Sequence, residues 1–180
     1  LDLSKIESGN MSMDIETVEV ESICRSAEDL FSEIAKEKRI KFSVNFDKGK
    51  HQIIKTDRIR LEQVLKNFLS NAIKFTENGS VTMIVRAPTL SEANWIHGNP
   101  QDYIIFEVID TGIGIPKEKH DLGFEAFKQA DGSTRRKYGG TGLGLSISKK
   151  IAHLLGGDVL LKSEIGMGSS FSLITPVDSS

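Results

Sequence analysis

The stretch YIIFEVIDTGIGIP, residues 103–116, decides how this 180-residue chain is interpreted. A mainly apolar run over residues 103–109 is followed by Asp110 and two closely spaced glycines. A second glycine cluster, GGTGLGL at residues 139–145, opens a helical pattern. Glycine lets main-chain N–H groups approach a ligand closely, and a helix N-terminus adds unpaired donors and partial positive charge. Together the clusters predict a phosphate-binding backbone beside a carboxylate suited to a hydrogen-bond donor such as an adenine amino group.

The composition is that of one globular domain without a strong charge bias. The chain has 38% hydrophobic residues and 16 glycines, and 180 residues suffice for a proper core. A formal net charge of −2 does not indicate a nucleic-acid partner. The single cysteine, Cys24, excludes an internal disulfide and fits a reducing cytoplasm, and no apolar run reaches the roughly 18 residues of a membrane span. Because the chain starts at Leu1 inside a helical pattern, without a signal-like start, we interpret it as a fragment of a longer protein.

Hydrophobic periodicity predicts a mixed sheet with helices over one face, which is a two-layer α/β sandwich. Asp57 is expected to cap the central helix, and Gly156 and Gly157 to end the last one. Residues 88–101 and 116–138 are predicted to be irregular. The predicted strands are residues 11–20, 40–46, 51–55, 80–87, 102–109, 158–163 and 169–176, and the predicted helices are 21–38, 58–75 and 143–155.

Three polar residues share one edge of the predicted helix at 58–75. Asn67, Asn71 and Lys74 are spaced by four and three residues and lie beside the apolar stripe. Amide oxygens can meet a hydrated Mg²⁺, and lysine adds a point charge for phosphate. A solvated helix edge explains the same residues and is preferred when they are considered alone. Beside the two glycine clusters, the binding interpretation becomes the preferred one.

The glycine clusters also have simpler explanations. Asp110 before glycine is a common strand-ending turn, but Asp-x-Gly-x-Gly followed by a glycine-rich helix start is a far more specific combination. The glycines 140, 142 and 144 would let the backbone wrap a triphosphate, and a flexible linker is a poor alternative because apolar helix residues follow directly. For Gly166 and Gly168 a hairpin turn is an equally good explanation.

The polar segment before the second cluster carries cations and aromatic residues. Arg135, Arg136 and Lys137 are placed to close over a γ-phosphate, and a charged, solvated loop explains each of them equally well. Phe124 and Phe127 indicate a docking surface or a lid anchor, with packing under the loop nearly as good an explanation.

In their order along the chain, four segments resemble the sequence boxes of sensor histidine kinases, and the resemblance covers nearly all of the chain. Residues 67–76 (NFLSNAIKFT) resemble the N box, and residues 110–114 (DTGIG) resemble the G1 box. Residues 124–129 (FEAFKQ) resemble the F box, and residues 140–144 (GTGLG) resemble the G2 box. The closely spaced residues 121–129, 130–131 and 139 onward are most similar to those of hybrid-type kinases.

This resemblance implies the Bergerat fold, with a mostly antiparallel sheet covered on one face by helices. It implies an ATP and Mg²⁺ site and transfer of the γ-phosphoryl to a histidine on a separate dimerisation domain. Asn71 would meet Mg²⁺, Asn67 and Lys74 would lie near the metal and phosphates, and Asp110 would meet adenine. Residues 120–138 would form the ATP lid. The residues implied in nucleotide binding are Asn67, Asn71, Lys74, Phe75, Asp110, Gly112, Gly114, Ile115, Gly140, Thr141, Gly142, Leu143, Gly144 and Leu145, and those implied in catalysis are Asn67, Lys74 and Arg135.

Three functions remain as hypotheses: a histidine kinase catalytic domain, a nucleotide-binding regulatory module without transfer activity, and an ATP-driven clamp or chaperone. Gly123 supports the second, since the kinases usually have a large aliphatic residue there. The ATP-driven clamps and chaperones that resemble this chain in fold carry a water-activating glutamate four residues before the metal-binding asparagine. Here that position is Asn67, an amide that accepts no proton at neutral pH, so fast hydrolysis is not expected. The kinase is the preferred hypothesis.

The resemblance also implies the domain organisation and the partners. Residues 1–10 would be the end of the dimerisation helix, and residues 11–180 the ATP-binding domain. The expected partners are the upstream dimerisation domain, which would hold the acceptor histidine, and a response regulator or receiver domain. The full-length protein would be a dimer, the fragment is compatible with a monomer, and no nucleic acid is expected. The domain is expected in the cytoplasm, with a membrane anchor elsewhere in the parent protein left open.

Overall fold

A computed structural model describes residues 12–47, 51–112, 143–164 and 168–180. The predicted segments 1–10 and 116–138 therefore lie outside the described residues, as does most of each glycine cluster. The described α-helices and strands are β1 (Glu16–Glu19), α1 (Val20–Glu37), β2 (Lys41–Phe46), β3 (Ile53–Thr56), α2 (Arg58–Phe75), β4 (Ser80–Arg86), α3 (Leu90–Trp95), β5 (Tyr103–Asp110), α4 (Leu143–Leu154), β6 (Asp158–Glu164) and β7 (Gly168–Pro176), and a 3₁₀ helix spans Pro100–Asp102.

The main sheet of the described chain has the strand order β2-β4-β5-β7-β6. β2 and β4 run parallel, whereas the other neighbouring pairs are antiparallel. The predicted two-layer sandwich with a mixed, mostly antiparallel sheet is therefore confirmed. β5 lies at the centre of the sheet, and its last residue, Asp110, pairs with Val81 of β4 on one side and Ser169 of β7 on the other.

One hydrophobic core joins this sheet to the helices. Alternate residues of β4 (Val81, Met83 and Val85) are completely buried, as the two-residue period of a strand requires. The stripe of α2 meets them, and its Phe68 ring lies 5.6 Å from the ring of Phe171 on β7. Phe68 is fully buried, so truncation to alanine would cost about 3–5 kcal/mol of folding free energy. This packing fixes α2 across the centre of the sheet.

Two departures from the predicted pattern have physical causes. Residues 88–101, predicted to be irregular, contain helix α3, whose first turn is held by a capping box between Thr89 and Glu92. The far end of α3 is fixed by Trp95, whose Nε1 donates a hydrogen bond to Asp158 Oδ2 at 3.0 Å. The predicted strand at 11–20 is shorter at both ends, because β1 pairs with β3 only over Glu16–Glu19 and Val20 already begins α1.

The prediction for α1 holds for its position and only in part for its apolar face. Ile23, Ala27, Phe31 and Ala35 are buried, while Leu30 and Ile34 remain close to half exposed at 46% and 49%. Among the described helices, none combines the length and apolar character that crossing a bilayer would require.

Candidate functional site

The polar edge of α2 borders the core. Asn67 and Asn71 are half-buried and Lys74 is exposed, whereas their neighbours Phe68 and Ala72 are buried. The structure thus places the three predicted residues on one helix edge between the core and solvent. Two amides and an ammonium in this position offer acceptor oxygens and a cation to a polar ligand.

Both ends of α2 are tied down by side chains. At the start, Asp57 accepts a hydrogen bond from the N–H of Arg60 at 3.2 Å, which confirms the predicted cap. At the other end, the ammonium of Lys38 donates to the carbonyl oxygens of Ile73 and Lys74. A cation at a helix C-terminus is stabilising because it opposes the negative end of the helix dipole. The helix that carries the asparagines is therefore stabilised at both ends.

Asp110 ends the central strand as a buried carboxylate, with only 4% of the residue exposed. Its Oδ1 accepts hydrogen bonds from the main-chain N–H groups of Gly112 at 2.8 Å and Ser169 at 3.3 Å. Burial raises the pKa of Asp110 from 3.8 to about 6, and the two N–H donors only partly oppose that shift. This carboxyl group is costly to ionise in the absence of a further donor.

Close backbone contacts join Asp110 to α2 and β7. A Cβ atom on Gly112 would lie 2.4 Å from the carbonyl oxygen of Phe75, the last residue of α2. A Cβ atom on Gly168, which has a φ of +102°, would lie 2.1 Å from the carbonyl oxygen of Asp110. Neither position accommodates a side chain, because backbone atoms cannot move aside as flexible side chains do. Gly112 thus has a packing requirement of its own, in addition to its predicted role.

Helix α4 meets the same edge of α2. The amide nitrogen of Asn67 donates a hydrogen bond to Ser148 Oγ at 3.1 Å, and Ser148 is completely buried. Ser148 follows Leu143, the first residue of α4, by five positions, which is about 7.5 Å along a helix axis. The contact therefore brings the first turn of α4, whose N–H groups have no partner within the helix, near Asn67.

The remaining predicted site residues lie partly within and partly outside the described residues. Of the predicted set, Phe75 is buried at the end of α2, beside Gly112. Leu143, Gly144 and Leu145 belong to the first turn of α4, and their side chains are outside the description. Outside the described residues are Gly114, Ile115, Arg135, Gly140, Thr141 and Gly142, together with the F box, Gly123 and the predicted lid.

Sequence reasoning missed four residues around this site. Ser148 and Lys38 bind Asn67 and the end of α2, and Ser169 binds Asp110 through its N–H group. The hydroxyl of Thr76, directly after α2, is completely buried and has no hydrogen-bond partner among the described residues. Thr76 belongs to the segment that resembles the N box, but no role was predicted for it. For Ser148 the available signal was a serine placed one turn after the apolar start of a helix. The contacts of Lys38 and Ser169 join distant segments, so nothing local indicated them.

Comparison with known proteins assigns the family. A profile described as "Histidine kinase-, DNA gyrase B-, and HSP90-like ATPase" matches residues 56–179. The chain belongs to this ATPase family. The match spans α2, the central strands and α4, so it includes Asp110 and the asparagine edge.

Similar proteins within this family are sensor kinases. The chain is 33% identical over 178 residues to the autoinducer 2 sensor kinase/phosphatase LuxQ of Vibrio cholerae, covering 99% of this chain and 20% of LuxQ. It is 39% identical over 176 residues to hybrid signal transduction histidine kinase B of Dictyostelium discoideum, covering 98% of this chain and 9% of that protein. The chain thus spans a fifth or less of these two relatives.

A solved structure gives the same assignment. Full-length ShkA, crystallised in complex with AMPPNP, superposes with a TM-score of 0.77 at 28% identity, covering 97% of this chain and 34% of ShkA. The predicted family, the Bergerat-type fold and an ATP-binding catalytic domain of the sensor histidine kinase type are therefore confirmed.

Proposed function

We propose that this domain binds Mg²⁺-ATP between the α2 edge, α4 and the end of β5, and transfers the γ-phosphoryl to a histidine on an upstream dimerisation domain. The observation that carries the proposal is the buried carboxylate of Asp110, positioned at the end of α2 while the asparagines line the same helix. Asn67 and Phe75 are eight residues apart, about 12 Å along the helix. This separation suits an elongated ligand with a purine at Asp110 and phosphates near Asn67.

The residues present fit the purine end of this ligand. One oxygen of Asp110 is held by two main-chain N–H groups, so the carboxylate has a fixed orientation. A buried, ionised carboxylate has a high free-energy cost that a donor such as an adenine amino group would offset. The buried hydroxyl of Thr76, which has no hydrogen-bond partner among the described residues, offers a second polar group at this end.

The residues at the other end fit a hydrated metal ion and phosphates. Mg²⁺ prefers oxygen ligands and keeps several waters, so Asn67 and Asn71 would hold it through their amide oxygens together with phosphate oxygens. The bound Mg²⁺ would neutralise charge on the transferred group. Lys74 and the first turn of α4 would add positive potential for phosphate. Arg135 is the residue we assign to the γ-phosphate.

The proposed reaction requires positioning and charge neutralisation rather than a catalytic base on this domain. The bond between the γ-phosphorus and the β–γ bridging oxygen breaks, and a phosphorus–nitrogen bond to the acceptor imidazole forms. ADP leaves with the bridging oxygen, and the imidazole proton passes to a base on the acceptor domain. Asn67 cannot take a proton from water, which favours a protein acceptor over hydrolysis.

The test has a binding step and a transfer step. Titration calorimetry of the 180-residue chain with ATP and MgCl₂ should show saturable binding, and Asn71→Ala should reduce affinity at least about 100-fold, because metal and phosphate contacts are lost together. The matched control is Asn94→Ala, which changes an exposed asparagine on α3. Wild-type affinity in Asn71→Ala would contradict the site, and saturation by no adenine nucleotide would contradict the proposed function.

Transfer is measured by mixing the chain with a separately produced dimerisation domain and γ-labelled ATP. Acid-labile label on histidine supports the kinase, whereas tight binding without transfer supports the regulatory module. A steady-state ATP turnover of about one per second by the domain alone would instead support an ATP-driven clamp.

The similar sensor kinases also suggest the partners, oligomeric state and location of the parent protein. We propose a response regulator or receiver domain as the later phosphoryl acceptor, a dimeric parent protein and a cytoplasmic location for this domain. Residues 1–10 are proposed to end the dimerisation helix, and residues 11–180 to form the catalytic domain.

A further inference from the structure

We propose that Ser148 is a positioning residue that orients the Asn67 amide for the metal ion, an inference that rests on the proposed function. Ser148 is completely buried on α4, and its hydroxyl accepts a hydrogen bond from Asn67 Nδ2 at 3.1 Å. The two residues are 81 positions apart and belong to different helices. Their contact is therefore a tertiary link between the proposed metal-binding edge and the helix that follows the glycine cluster.

The chemistry of an amide gives this contact a directional effect. The nitrogen and oxygen of the Asn67 amide branch from the same carbon, so holding the nitrogen on Ser148 holds the oxygen on the opposite branch. A metal ion binds the oxygen and never the NH₂ group, because only the oxygen has an available lone pair. Without the serine hydroxyl, the amide would lose one contact that fixes its orientation, and a larger share of the molecules would present the wrong group to the cation.

Burial determines how much the Ser148 hydroxyl contributes to the orientation of Asn67. Ser148 is fully enclosed, and Asn67 is half-buried, so the hydrogen bond is screened from solvent competition. A buried hydrogen bond of this kind contributes about 1 kcal/mol, which corresponds to a factor of about five in an equilibrium constant. The expected effect on Mg²⁺-ATP affinity is therefore a moderate loss and not abolition.

The link also joins two parts of the proposed site that the sequence separates. The first turn of α4 would face phosphate, while Asn67 would face the metal ion bound to the same phosphates. Because Ser148 belongs to α4, the orientation of Asn67 depends on where α4 is seated. Ser148 thereby makes metal binding and phosphate binding one coupled event.

The experiment compares Mg²⁺-ATP and metal-free ATP by titration calorimetry, the second in EDTA. Ser148→Ala should weaken Mg²⁺-ATP about 3–10-fold and change metal-free ATP by less than about twofold. Ser148→Thr retains the hydroxyl and should restore most of the loss. The control is Ser172→Ala, which changes a buried serine that lies opposite Glu107 in the register of β7 and β5. This substitution should leave both affinities unchanged.

A double-mutant cycle separates positioning from a general structural role. In an Asn67→Ala background, Ser148→Ala should have no further effect on Mg²⁺-ATP, because the group that it orients is absent. Equal loss with and without metal, unchanged affinity in Ser148→Ala, or additive losses in the double variant would each overturn the inference. Failure of the wild-type chain to bind any adenine nucleotide would instead overturn the proposed function itself.

Discussion

Asp110 and Glu92 are two carboxylates with almost the same burial, at 4% and 6% exposure, and opposite electrostatic properties. Glu92 accepts two hydrogen bonds from the Arg86 guanidinium, at 2.7 and 2.8 Å, and a third from the N–H of Thr89. These contacts lower the pKa of Glu92 from 4.5 to about 2. Burial raises the pKa of Asp110 to about 6, since main-chain N–H groups alone oppose it.

The difference shows that charged partners can outweigh burial in setting the pKa of a buried carboxylate. Arg86 also donates to Glu107 at 3.3 Å, so the region around α3 forms a satisfied ion network. Such a network holds a surface helix onto the sheet and leaves little chemistry for a ligand. Among the described residues no cation contacts Asp110, and a buried carboxylate of this kind is expected of a binding group rather than a structural one.

The strongest test of this contrast is Asp110→Asn. An amide can still accept from Gly112 and Ser169, but its NH₂ group would meet the donor of a purine, so ATP affinity should fall at least about 100-fold. The same change should stabilise the free domain at pH 7 by about 2–3 kcal/mol, because a buried charge is removed. Calorimetry and thermal unfolding measure the two effects, with exposed Asp29→Asn as the control.

Unchanged ATP affinity in Asp110→Asn, or lower stability, would contradict the assignment of Asp110 as a binding residue held at a cost in folding free energy.

Glu92→Gln should produce the reverse pattern. The variant loses the charge-assisted bonds to Arg86, so the free energy of unfolding should fall by about 2–3 kcal/mol. ATP affinity measured on folded protein should remain within about twofold of wild type, because Glu92 lies on α3 and contacts β4. Denaturant unfolding and calorimetry check both expectations, and Glu33→Gln on the exposed face of α1 is the matched control. Weakened ATP binding with unchanged stability would show that the two regions are not distinct.

The smallest effect is in the pH dependence. In the proposed site ATP binds to ionised Asp110, so affinity should decline about tenfold per pH unit as the pH falls below the pKa of about 6. The stability that Glu92 contributes is present above about pH 4.5 and should be lost as the pH falls towards its folded pKa of about 2. Calorimetry from pH 7.5 to 5 and denaturant unfolding from pH 6 to 3 measure the two declines. ATP affinity that stays constant down to pH 5 would contradict the pKa shift of Asp110.

Local sequence reasoning succeeded where a single segment carries the signal. The alternating strands, the apolar stripe of α2, its cap at Asp57 and the C-terminal hairpin were all predicted, since these patterns repeat over neighbouring residues. It failed at residues 88–101, where helix α3 depends on Arg86 and Asp158 as well as on its capping box. A six-residue helix is too short to be stable by itself, so only its tertiary partners could settle its existence.

The sequence by itself determined the family, the layered fold and the candidate residues, because spacing and residue type are properties of the chain. Only the tertiary structure decided that Asp110 is buried with no cation beside it in the described part of the chain, that Gly112 lies too close to the end of α2 for a side chain, and that Ser148 binds Asn67. Each of these depends on the distance between segments that are far apart in sequence. Electrostatic free energies and steric contacts are set by such distances, and no local pattern contains them.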